Sequence, residues 1–247
     1  MSTEQLISAD ETGYSTLLNI SRAGKLNEWM FQAIAPYVKG KTLEIGSGIG
    51  TISSVFVSHR MPLYLSDYHE GYCRLLQKKF ASEPAIKEVF RIDLVGKDFE
   101  TVHAGLLGTF ETIFALNVIE HIDDDRLAIE NCHKLLTPGG HLILLMPSYP
   151  ALYNRFDKEL GHRRRYTGRA MHQLLSPLFQ VIRIKHFNLA GILGWFLFGA
   201  VFRRKNITKG QMNAFDIWVP LFRMADRLTG KKIGLSVIGV GKKNLVA

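Results

Sequence analysis

A glycine-rich turn and a set of carboxylates carry the first chemical signal. Glu44-Ile45-Gly46-Ser47-Gly48-Ile49-Gly50 follows an apolar stretch, and Asp67 and Asp93 close two later ones, in Leu65-Ser66-Asp67-Tyr68 and Ile92-Asp93-Leu94. Glycines let the backbone bend sharply and let a ligand come close to it. A helix starting directly after such a turn presents its unpaired N–H groups to that ligand. A carboxylate at the next strand end points into the same crevice, where it can accept hydrogen bonds from sugar hydroxyls. Asp67 and Asp93 each have a blander alternative as a cap of the following helix. Three of them at successive strand ends form a pattern.

These residues need a parallel sheet to bring them together, and the chain alternates accordingly. Lys41–Gly46 reads as a buried strand, followed by a helix over Thr51–His59. Strands follow at Pro62–Ser66, Glu88–Asp93, Phe110–Asn117 and His141–Met146. Between them lie helices at Glu70–Phe80 and Asp125–Leu136, the second stopped by Thr137-Pro138-Gly139-Gly140. Apolar strands spaced by helices make a parallel sheet covered on both faces. Phe179–His186 and Ile233–Val240 add two more strands. The expected fold is α/β: a doubly wound, mostly parallel, seven-stranded sheet, with N-terminal helices and a helical insertion before the last strand. Residues 1–40 read as a helical cap, 41–188 with 233–247 as the core, and 189–232 as the insertion.

The glycine spacing separates two ligand classes. A dinucleotide fingerprint reads G-x-G-x-x-G. Here the third glycine arrives one residue early, and Thr51 stands where that pattern needs glycine. The segment instead resembles motif I of class I methyltransferases, E/D-x-G-x-G-x-G, with every position matched. Asn117-Val118-Ile119-Glu120-His121-Ile122 and Leu135-Leu136-Thr137-Pro138-Gly139-Gly140 resemble segments of the ubiquinone/menaquinone-biosynthesis (type 11/12) group. The likeness runs over about residues 40 to 147. It implies a Rossmann-like fold and S-adenosylmethionine as cofactor, with S-adenosylhomocysteine as product. It further implies cofactor contacts from Glu44, Gly46, Ser47, Gly48 and Gly50, from Asp67, Tyr68, Asp93 and Leu94, and from Asn117 and Val118.

Methyl transfer from a sulfonium is an in-line displacement, so the protein mainly orients the reactants. A general base is needed only for a poor nucleophile. The base candidate is His121, after the fourth strand, with an ordinary pKa near neutrality. A structural role beneath the cofactor is its alternative. The loop 147–166 offers acceptor contacts: Tyr149, Tyr153 and Tyr166 as lining, and His162 and Arg165 as anion partners. No metal ligand set is expected. Asp123-Asp124-Asp125 reads as acids at a helix N-terminus, and the histidines show no paired metal spacing.

Charge is uneven. Net charge is +9, yet residues 180–247 hold twelve Lys/Arg against two Asp/Glu. A uniformly basic nucleic-acid-binding domain would not look like that. Asn117 is followed by Val118-Ile119 rather than by the Pro-Pro-aromatic run of amino-methylating nucleic-acid enzymes. RNA methylation and non-catalytic cofactor binding stay as alternatives to methylation of a small-molecule or lipid-like acceptor. Leu189–Phe202 is apolar and ends in Arg203-Arg204-Lys205. At roughly 21 Å as a helix it is too short for a ~30 Å hydrocarbon core. A second helix from about Met212 to Leu228 carries Phe215, Trp218, Val219, Phe222 and Ala225 on one face, and Pro220 is expected to kink or break it. Apolar, aromatic and basic residues together suit a membrane surface, and a lid or homodimer contact is the alternative. Cys73 and Cys132 form no motif. The first ten residues lack the features of a signal peptide, and the expected location is cytoplasmic, peripheral at most to the inner membrane.

Overall fold

A computed structural model describes residues 11–197 and 209–245. Helices α1 (Glu11–Ser21) and α2 (Gly24–Ile34) precede β1 (Thr42–Ile45). Then come α3 (Thr51–Ser58), β2 (Leu63–Asp67), α4 (Glu70–Lys79), β3 (Ile86–Arg91), the short α5 (Phe99–Val102) and β4 (Phe110–Leu116). The second half holds α6 (Asp125–Leu135), β5 (Leu136–Pro147), α7 (Arg155–Glu159), α8 (Gly168–Leu175), β6 (Phe179–Phe187), α9 (Leu189–Trp195), α10 (Lys209–Leu228) and β7 (Ser236–Lys243).

The seven strands form one sheet in the order β3-β2-β1-β4-β5-β7-β6. The pairs β1–β2, β1–β4, β2–β3 and β4–β5 are parallel, while β7 runs antiparallel to β5 and β6. The expected mostly parallel, doubly wound sheet is therefore present. Alternation along the strands explains the two helical layers. Leu142 and Leu144 of β5 face α6 and α8, packing with Ile129, Cys132, Met171 and Leu175. Ile143 and Leu145, one residue out of phase, face α2 and α3 and pack with Phe31, Ile34 and Phe56. The order reverses between β1 and β4. In open α/β sheets, ligands bind outside the carboxyl ends of the strands at that reversal.

Several boundaries differ from expectation. β3 ends at Arg91, so Asp93 stands in the loop beyond it. β5 begins at Leu136 and carries Thr137–Gly140 as an irregularity, with Phe110 opposite Leu136 but Thr112 opposite His141. Gly139 takes a left-handed φ of 75° there, which absorbs the extra residues. β7 lies three residues later than its predicted start. Pro220 does not break α10, which runs through it as one helix. Trp218 is also not part of the inward face. Phe215, Val219 and Phe222 pack on the core, while Trp218 is 58% exposed. The apolar run Phe198–Phe202 and the Arg203–Lys205 cluster lie outside the described residues. Among the described residues, no helix is long and apolar enough to cross a membrane.

Candidate active site at the sheet reversal

The turn after β1 is built on three left-handed glycines, Gly46 (φ 70°), Gly48 (φ 53°) and Gly50 (φ 75°). A Cβ on Gly46 would come within 2.5 Å of Val118, and one on Gly50 within 2.6 Å of the Phe80 ring. Glycine is required at both by backbone sign and by space. Gly50 is the N-cap of α3, and the turn is held by Gly50 N–H donating to Ser47 O at 2.8 Å. The Ser47 N–H donates to Ser66 O at 2.9 Å and so pins the turn to β2.

Asp67 joins the two strand ends. Its Oδ2 accepts from the Gly48 N–H and its Oδ1 from the His69 N–H, both at 2.9 Å. Burial raises its pKa, against the pull of those two amides. Glu44 lies beneath the turn, 5% exposed. Its carboxylate accepts a short hydrogen bond from Ser53 Oγ on α3, and its carbonyl accepts from Ser66 Oγ at 2.8 Å. Burial pushes the Glu44 carboxyl up to about 7, opposed by the Ser53 and Ser47 hydroxyls. In this geometry Glu44 shapes the turn from below.

The remaining predicted cofactor residues follow β2, β3 and β4 in the chain. Val118 packs against Gly46. Asn117, left-handed at φ 55°, directly follows β4 and donates its N–H to Leu145 O at 2.8 Å. Asp93 is exposed and closes a local turn, its Oδ1 accepting from the Val95 N–H at 3.0 Å. Leu94 is buried and Tyr68 is 66% exposed. Two further groups escaped sequence reasoning. Lys79 Nζ donates to the carbonyls of Ile49 and Gly50 at 2.9 and 3.1 Å and braces the turn from α4. Tyr14 and Leu17 of α1 pack with Ile49 and Tyr72 and so lie over it. A lysine in a last helical turn and an apolar pair in a terminal helix carry no sequence signal of these contacts.

Beyond β4, a short turn over Ile119–His121 brings Glu120 and His121 to the 149–166 loop. His121 is exposed, and its ring meets His162 edge-on at 4.9 Å. His162 Nδ1 lies 2.8 Å from Asp157 Oδ1, which also accepts from Arg165 Nε at 2.8 Å. Arg165 additionally donates to Ser148 O at 2.9 Å, and its guanidinium covers the Trp195 ring at 4.6 Å. At 5% exposure it is engaged internally, so the anion contact expected of it has no open face. Tyr166 is likewise buried, its hydroxyl donating to Asp125 Oδ2 at 2.7 Å. Tyr153 donates to His162 O at 2.8 Å, and Tyr149 stacks on His186 at 5.3 Å. Of the acidic run, Asp124 caps α6, accepting from the Leu127 N–H, and Asp123 and Asp125 pair with Arg163 and Arg164. Glu120 is fully buried, and burial pushes its carboxyl up to about 8.

Residues 43–142 match the family model described as a methyltransferase domain. Among curated proteins, the chain is 24% identical over 155 residues to a probable polyketide synthase of Dictyostelium discoideum, covering 53% of this chain and 5% of that protein. It is 30% identical over 125 residues to a hybrid polyketide–peptide synthetase of Penicillium oxalicum, covering 49% and 3%. The chain thus spans only a small fraction of the length of these relatives. A solved methyltransferase structure from Bacillus halodurans, itself described as putative, aligns over 88% of this chain and 98% of its own, at 16% identity and a TM-score of 0.56. Phosphoethanolamine N-methyltransferase 2 of Haemonchus contortus, solved with S-adenosylmethionine, aligns over 99% and 60%, at 13% identity and a TM-score of 0.62. At these identities the solved structures share the fold. The methyltransferase-domain match over residues 43–142, the strand order and the fully matched glycine turn together mark a Rossmann-like methyltransferase fold with a cofactor turn of the S-adenosylmethionine type.

Proposed function

We propose that the protein methylates a small amphiphilic acceptor that it meets at an anionic membrane surface. The cofactor supplies an activated methyl group on a sulfonium. The chain's own residues do the rest. The Gly46–Gly50 turn presents backbone to the cofactor, and Asp67 holds that turn while keeping lone pairs for sugar hydroxyls. α1 covers the turn and limits water. His121, at the open end of β4, acts on the acceptor side. The division into a 1–40 cap, a core of 41–188 with 233–247, and an insertion over 189–232 fits this arrangement.

The observation that carries the acceptor reading is the outer side of α10. Ile217, Leu221, Met224 and Leu228 recur every third or fourth residue and are 66%, 49%, 52% and 81% exposed, with Trp218 beside them. Leu193, Phe196 and Leu197 of the neighbouring helical segment are also exposed. Arg223, Arg227, Lys231 and Lys232 accompany the stripe. Apolar side chains bordered by cations suit an anionic lipid surface. The same segment reaches the acceptor loop, since Trp195 touches Arg165 and its carbonyl accepts from Asn154 at 3.4 Å. The test is flotation with anionic and with neutral liposomes, followed by labelled methyl transfer into a lipid extract. Absence from the lipid layer in both cases removes this reading of the acceptor and leaves the methyl donor untouched.

A further inference from the structure

Glu120 is unusual among the buried acids. Both of its carboxylate oxygens are buried and have no hydrogen-bond partner, a costly arrangement for a polar group. It does not stand alone. Ligand-type atoms of Glu120, His121 and His162 all lie within 4.8 Å of one another. His162 Nε2 is 3.9 Å from Glu120 Oε1.

We propose that Glu120, His121 and His162 form a binding site for one first-row divalent metal ion of the zinc type. The donor set is two imidazoles and one carboxylate, which suits such ions. The surroundings are ordered as a metal site requires. Asp157 is an acceptor at His162 Nδ1, which leaves Nε2, on the side of Glu120, as the nitrogen available to a metal ion. Arg165 fixes Asp157 in turn. A carboxylate behind a ligating histidine is the usual second layer of such sites. Zinc holds these donors at about 2.0–2.2 Å, so closing the set takes side-chain shifts of on the order of 1 Å. Three protein ligands leave a position open for an oxygen of the acceptor. With an ion bound, His121 would serve as one of its ligands, and the ion would supply Lewis-acid polarisation of an oxygen in the open position. The site does not depend on the membrane reading.

The experiment uses untagged, chelator-stripped full-length protein titrated with Co2+, then with Zn2+ in competition. One equivalent of Co2+ is expected to bind, with visible bands of a low-coordinate site and no thiolate charge-transfer band, and Zn2+ is expected to displace it. Glu120→Gln and His121→Gln should each weaken Co2+ binding at least 10-fold, and Asp157→Asn by roughly 10–100-fold. His172→Gln, at an exposed histidine outside the cluster, should leave it unchanged. If Glu120→Gln fails to fold, His121→Gln decides. No saturable binding at one equivalent, a thiolate band, or unchanged affinity in the folded cluster variants would overturn the site. Failure here leaves binding of S-adenosylmethionine, measured separately by calorimetry, unaffected.

Discussion

Asp67 Oδ2 accepts the Gly48 N–H at 2.9 Å, so the acid that ends β2 is also the clamp of the turn after β1. One side chain therefore sets the shape of the turn and, in the proposed function, also supplies the acceptor for a ribose. Hydrogen bonds to charged groups contribute about 1.5–3 kcal/mol. Asp67→Ala should weaken S-adenosylmethionine and S-adenosylhomocysteine binding by roughly 10–100-fold. Isothermal titration calorimetry reads both. An unchanged Kd would show that the carboxylate shapes nothing the cofactor uses.

Gly46 and Val118 are coupled by space. Gly46→Ala places a methyl group 2.5 Å from Val118 Cγ2 at a backbone φ of 70°. Overpacking costs about 1–3 kcal/mol, and the left-handed conformation about 1–2 kcal/mol more. The first part should vanish in the Gly46→Ala, Val118→Ala double variant, while the second remains. Urea unfolding of the four proteins in this cycle measures the coupling. Strict additivity would mean that the turn relaxes away from β4.

Glu44 gives the stability curve a recognisable slope. Its folded pKa, about 7, is raised by burial above the ordinary 4.5. Between these values the folded carboxyl keeps its proton while the unfolded one has lost it. The unfolded state then binds fewer protons, so stability falls as pH rises from about 4.5 to about 7 and levels off above that. Glu44→Gln should remove this component, and the wild-type minus variant difference in unfolding free energy should trace it. A difference that does not vary with pH would show that the carboxyl ionises freely in the fold.

The order of elements and the glycine turn were legible because both follow from local chemistry. Glycine at three alternating positions reports backbone sign, and strand alternation reports burial on two faces. The acceptor side was not legible. Glu120 and His121 meet His162 only because the 149–166 loop folds back over the end of β4. Arg165 reads as a free anion contact until Asp157, Ser148 and Trp195 are seen to enclose it. On α10, apolar residues occupy much of the circumference. Periodicity alone therefore could not decide that Phe215, Val219 and Phe222 face inward while Trp218 does not.

That outer side makes a separable prediction. Replacing Trp218 and Leu221 with serine removes exposed apolar surface that touches no buried cluster, so stability should change by no more than about 0.5 kcal/mol. Liposome binding should fall for every lipid composition. Arg227→Glu with Lys231→Glu should instead abolish the preference for anionic lipid, because each cation near such a surface contributes about 1 kcal/mol. Flotation across a salt series distinguishes the two effects. Equal loss in both variants at all salt concentrations would point to a protein contact.

Trp195 tests whether the helical segment after β6 and the 149–166 loop are one device. Its ring lies 4.6 Å from the Arg165 guanidinium, and its backbone oxygen accepts from Asn154. A cation–π contact of this kind contributes about 0.5–2 kcal/mol. Trp195→Ala removes the ring and leaves the backbone bond available. Arg165 would keep Asp157 and Ser148 but lose its cover, so local opening of the loop should become easier while the Gly46–Gly50 turn is untouched. Hydrogen exchange should therefore accelerate about 2–30-fold at the amides of residues 149–166. The Kd for S-adenosylmethionine should stay at the wild-type value. Exchange that accelerates equally at Gly48 and at His162 would mean global loosening, and the two ends of the site would have to be treated as one cooperative unit.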